Sequence, residues 1–78
     1  MANRNMNVVV GKRQILREIK VDKIAEILIA ADAEQQYMKS LMDVAKQYNV
    51  KYTIGSSMEG IAFAYGIDVP TGAVGILK

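Results

Sequence analysis

Residues 8–19 read VVVGKRQILREI, and the fold turns on the change of period at Gly11. Val8, Val9 and Val10 are a β-branched run closed by glycine, which predicts a short strand. Beyond Gly11, Ile15, Leu16 and Ile19 recur at helical spacing. Arg13, Arg17 and Lys20, at i, i+4 and i+7, fall on a different face. A strand therefore passes through one glycine into an amphipathic helix with a basic stripe.

The same alternation continues downstream. Ile27 to Ala31 is an unbroken apolar run, as in a strand buried on both faces of a parallel sheet. Asp32 stands three residues before Gln35, a capping-box spacing. The helix it opens extends to about Tyr48, with Tyr37, Leu41, Val44, Ala45 and Tyr48 as its apolar stripe and Asn49 as a left-handed cap. Residues 50–54 alternate apolar with polar and predict a strand with one wetter face. Ser56 and Glu59 repeat the capping-box spacing ahead of a short helix that ends near Tyr65 and is closed by Gly66. Residues 66–72 form a loop carrying the only proline, Pro70, and Ala73 to Leu77 make the last strand. The order βαβαβαβ calls for an α/β fold, a largely parallel sheet with helices on its faces.

The 78 residues suffice for one domain. Residues 1–78 are expected to form it, with residues 1–6 as a flexible tail. Without cysteine or histidine, disulfides, thiolate metal sites and the commonest general base are all excluded. The apolar run at Val8 to Val10 is too short for a signal peptide or a membrane helix, so a cytoplasmic protein without membrane attachment is expected.

The net charge is +2, a weak pointer to a polyanion on its own. Its distribution says more: Lys12, Arg13, Arg17, Lys20 and Lys23 are half of the ten basic residues. A helix N-terminus carries partial positive charge and ordinarily attracts acids. The helix after Gly11 opens Lys12-Arg13-Gln14 instead. Cations stacked on a positive dipole, beside free backbone N–H groups and a bare glycine, suit phosphate oxygens. Gln14 adds an amide able to donate to and accept from a base edge. A solvated basic face with no ligand is the plainer reading of a charge run alone; the position at a helix start favours anion binding. The triphosphate-loop pattern GxxxxGK[ST] is absent.

The second feature is the loop. Ile67 and Val69 alternate with Asp68 and Pro70, and the two branched residues either plug the core or pack on an exposed base or partner. Other chemistry is thin. Asp32 and Glu34 are explained by helix starts, and Ser56 has no histidine to activate it. Met38 and Met42 read as core filler, and one of Phe63 and Tyr65 is expected to be exposed. Nothing suggests an enzyme, a metal, a cofactor or a small-molecule substrate.

Three segments, VVVGKRQILREI, ILIAADAEQ and SMEGIAFAYGIDVPTGAVGIL, together resemble the kink-turn-binding family of small ribosomal proteins, the L7Ae/L30e superfamily, and most of all its bacterial YbxF-like branch. The likeness spans about Val8 to Leu77. It implies a three-layer αβα sandwich with a four-stranded, mostly parallel (mixed) sheet. It also implies binding of a sharply bent RNA whose bulge is flanked by tandem sheared G·A pairs. By this resemblance Gly11, Lys12, Arg13 and Gln14 match the turn that enters the groove, and Arg17 a phosphate-contacting lysine. Ile67, Asp68 and Val69 match the loop over the bulge, and Lys20 extends the basic stripe. Two positions depart: Arg13-Gln14 stands where archaeal and eukaryotic members have Asn-Glu and the bacterial branch has Lys-Gln, and Ala62 replaces a glycine. The expected function is kink-turn RNA binding by a monomer, ribosome-associated or regulatory, with ribosomal or riboswitch RNA as partner. The alternative is a protein-interaction module on the ribosome.

Overall fold

A computed structural model of the chain describes residues 7–68 and 70–78. The expected tail, residues 1–6, and the loop position Val69 lie outside the described residues. The elements run β1 (Val8–Val10), α1 (Lys12–Ile19), β2 (Ile24–Ile29), α2 (Gln35–Gln47), β3 (Lys51–Ile54), α3 (Met58–Ala64) and β4 (Ala73–Leu77).

The sheet order is β1-β4-β2-β3. β2 and β3 pair in parallel, while β4 runs antiparallel to both β1 and β2. Three strands thus point one way and the fourth threads between two of them. The mixed sheet is as expected, but only one of its hydrogen-bonded pairs is parallel.

Alternation divides the layers. Val9 and Ala73 pack with Ile27 and Ile29 against Ile15 and Ile19 of α1 and Leu41 and Ala45 of α2. Val8 and Val74 face the other way and meet Ile61 of α3. The helices α1 and α2 therefore cover one face and α3 the other. β2 starts three residues before the expected boundary, because a register irregularity between Ile24 and Glu26 breaks the alternation there. The extra residue returns Ile24 to the face of Ile27 and Ile29, and all three are buried.

Two helix caps differ from expectation. Asp32 does not open α2: its Oδ1 accepts the Met58 N–H at 2.9 Å, at the start of α3. The N-cap of α2 is Glu34, without a side-chain cap bond. In α3 the cap is Ser57, not Ser56, and its Oγ accepts the Gly60 N–H at 2.9 Å. Ser56 is diverted into the left-handed region at φ 57°. Asn49 and Gly66 do adopt the left-handed conformation at φ 57° and 66°. Tyr48 lies beyond the core stripe, 39% exposed at the end of α2; Met38 and Met42 pack on the core as fillers.

α1 is seated on Gly75 of β4. A Cβ built there would lie 3.0 Å from Ile15 Cγ1 and Ile24 Cδ1 and 3.1 Å from Val9 Cγ2. Gly75→Val should therefore push α1 off the sheet and cost about 1–3 kcal/mol, read as a lower urea midpoint with an unchanged slope.

Candidate nucleic-acid interface

The direction of β4 decides what shares an edge with the α1 N-terminus. Because β4 runs against β1 and β2, its first residue stands beside their last ones. The Gly11 N–H donates to Ala73 O at 3.0 Å, and the Ala30 N–H donates to Gly72 O at 2.8 Å. The loop that leads into β4 therefore ends against the turn that opens α1. The two features separated by more than fifty residues in sequence meet at the carboxyl ends of β1, β2 and β3, the customary ligand edge of an α/β sheet.

The turn itself is built by Gly11, at φ 88° and ψ 158°, a conformation that only glycine enters without strain. It supplies no side-chain cap, and the first turn of α1 holds no acid. The contrast with the other helices is narrower than the sequence suggests, since α2 also lacks an acid in its first turn. What distinguishes α1 is the pair of cations, Lys12 and Arg13. Among the described residues neither is in an ion pair. The Arg13 and Gln14 side chains are exposed.

Gln14 and Arg17 act as a unit. Arg17 Nη2 donates to Gln14 Oε1 at 2.9 Å, which fixes the carboxamide and leaves its NH2 donors without a partner among the described residues. Arg17 Nε is also 3.9 Å from Glu18 Oε2, a long contact from an exposed arginine and of small energetic weight. Lys20 caps the far end of α1, about 12 Å along the axis from Lys12 at 1.5 Å per residue. It belongs to the stripe but not to the edge.

In the loop, Asp68 is exposed and Ile67 half-buried. Ile67 packs against the Ala30, Ile61 and Val74 cluster, and its N–H donates to Ala62 O at 2.8 Å. The inward alternative therefore accounts for a good part of Ile67. Phe63 is 90% exposed while Tyr65 packs on the same cluster as Ile67, which settles which of the two aromatics is open.

Sequence reasoning missed the polar role of Tyr37. Its ring packs on the core cluster as the α2 stripe predicts, and its Oη in addition accepts the Lys12 N–H at 3.1 Å. Lys12 Nζ sits 5.8 Å from the ring centroid, within cation–π range. Burial raises the tyrosine pKa above 10.0, with the Lys12 N–H hydrogen bond opposing it. The i, i+4 spacing with Leu41 gave the burial but not the hydrogen bond to a residue 25 positions away.

Among the described residues no helix is long and apolar enough to cross a membrane. A family model described as the ribosomal protein L7Ae/L30e/S12e/Gadd45 family matches residues 1–78. A Geobacillus thermodenitrificans protein named an RNA-binding protein is 35% identical over 71 residues, covering 91% of this chain and 87% of its own length. RNA-binding protein YbxF of Geobacillus stearothermophilus is 31% identical over 71 residues, with the same coverage of both chains. Among solved structures, a Bacillus halodurans protein of unknown function superposes with a TM-score of 0.90 at 16% identity, over 97% of this chain and 76% of that one. The Giardia lamblia 15.5kD RNA binding protein gives 0.84 at 25% identity, over 92% of this chain and 61% of its own.

The shifted tyrosine fixes one pH dependence. A pKa raised on folding means that the unfolded chain releases the proton first, so stability holds below pH 10 and falls as pH rises through the folded value. Urea midpoints at about pH 9 and about pH 11 should drop more for the wild type than for Tyr37→Phe. Equal drops would mean that other groups carry the alkaline limb.

Proposed function

The chain belongs to the ribosomal protein L7Ae/L30e/S12e/Gadd45 family, and from that footing we propose that it is a non-enzymatic RNA-binding protein that recognises kink-turn RNA. The reading rests above all on one observation. A doubly basic helix start with no acid in its first turn and the 66–72 loop adjoin on one edge, tied by the hydrogen bond from Gly11 N–H to Ala73 O. The names of the relatives, RNA-binding proteins of nearly the same length, point the same way.

The chemistry divides the labour. The Arg13 and Gln14 N–H groups, with the Lys12 and Arg13 side chains, present positive potential to a phosphate. The Gln14 amide, steadied by Arg17, is the group suited to a base edge. The loop, with Asp68 and the exposed part of Ile67, covers bases that the bend displaces, since RNA is read mainly where bases are unstacked. Binding favours the bent conformer because that shape alone fills both halves of the edge. Lys20, two turns down the stripe, tracks the backbone beyond the bend and contributes charge rather than selectivity. Ribosomal RNA and riboswitch RNA are the partners this reading proposes.

The test is a gel-shift with a kink-turn, the same RNA with its G·A pairs disrupted, and a straight duplex, at two salt concentrations. The kink-turn should bind tightest at both. Arg13→Ala should weaken every RNA and reduce the salt slope by about one. Equal affinity for all three RNAs would refute kink recognition; an unchanged slope would remove Arg13 from the phosphates. Ile67 is a poor probe of the loop, because its replacement also disturbs the cluster beneath α3.

A further inference from the structure

Tyr37 belongs to neither half of the proposed edge, yet it touches both. Its hydroxyl takes the first free N–H of α1, that of Lys12, at 3.1 Å. Its ring lies against Gly72, the residue before β4, so closely that a Cβ there would be 2.7 Å from Tyr37 Cε1 and 3.0 Å from Cζ. The absence of a side chain at Gly72 makes room for the ring. A side chain from α2 thus pins the start of α1 to the end of the 66–72 loop.

The chemistry of the acceptor matters as much as its place. Gly11 offers no cap, and an Asp or Ser in its stead would be the ordinary remedy for unpaired N–H groups. An aspartate would also cancel the positive potential of the helix start. A phenol satisfies one N–H while remaining neutral, and the N–H groups of Arg13 and Gln14 keep their field. The ring also holds the Lys12 ammonium near the turn.

We propose that Tyr37 is a positioning residue for RNA recognition: it fixes the Lys12–Gln14 turn relative to the loop and thereby sets the preference for bent over straight RNA. This rests on the kink-turn reading above.

Tyr37→Phe is the decisive variant, since it keeps the ring, its packing on Gly72 and its place beside Lys12, and removes only the acceptor. Kink-turn affinity should fall roughly three- to tenfold, the span expected for one hydrogen bond. Straight-duplex affinity should change by less than about twofold, because phosphate attraction is untouched. The salt slope should stay the same. The neutral-pH unfolding midpoint should hold nearly constant, while amide exchange at Lys12 in the free protein quickens. Tyr37→Leu, which also removes the ring, should lose more kink preference than Tyr37→Phe.

The two readings fail differently. A wild type without kink preference overturns the functional reading and this proposal with it. A wild type that discriminates, beside a Tyr37→Phe variant that discriminates equally well, overturns only the role of Tyr37. Parallel losses on bent and straight RNA, tracking a lowered unfolding midpoint, would also overturn it by reducing Tyr37 to a stabilising residue.

Discussion

The antiparallel passage of β4 between β1 and β2 is the constraint on which the molecule depends. It closes the sheet with ladders on both sides of β4, and it places Gly75 where α1 needs a gap. It also reverses the end at which the last loop arrives. Had β4 run parallel to its neighbours, the 66–72 loop would enter at the opposite edge, far from Gly11. The same seven elements would then give a domain with a basic helix start and a loop that never meet. Strand direction, more than any single residue, makes an interface possible.

Around that constraint the caps of the three helices are distributed unequally. α3 receives two polar caps, from Ser57 within its own turn and from Asp32 after β2. The second of these also ties the β2 end to the α3 start and so holds the edge together. α2 starts with no side-chain cap. α1 receives a neutral one from α2. The Asp32 carboxylate is thus engaged at the α3 start, and the first turn of α1 holds no acid.

Much of this was legible in the sequence, and the reasons for the rest are physical. The run 8–19 fixed β1, Gly11 and α1 because three periods of evidence coincide there: branched residues, a glycine and a 3.6-residue stripe. β4 was equally plain. β2 was placed late because Ala25 and Glu26 interrupt its apolar run at the bulge, where alternation fails by construction. Ser56 and Ser57 are adjacent, and the choice between them depends on a left-handed backbone at Ser56 that no spacing announces. Asp32 and the hydroxyl of Tyr37 escape a sequence reading for a common reason. Their partners, Met58 and Lys12, lie 26 and 25 residues away, and a local pattern cannot report a long-range hydrogen bond. Of the candidate interface, the basic turn and the loop were each visible and their adjacency was not, because only the direction of β4 joins them.

The energetics explain how so small a domain tolerates an unfavourable helix start. Each cation at the α1 N-terminus costs at most about 1 kcal/mol when exposed. On the opposite face Ile15 and Ile19 are buried, at 0% and 2% exposure, and each such side chain contributes about 1.5–3 kcal/mol. The buried stripe therefore outweighs the charge penalty, and α1 forms despite its first turn. The buried contacts and the exposed candidate-site side chains lie on different faces of the same eight residues. That separation leaves Arg13, Gln14 and Arg17 open to change without loss of the fold, whereas Ile15, Ile19 and the glycine beneath them are not.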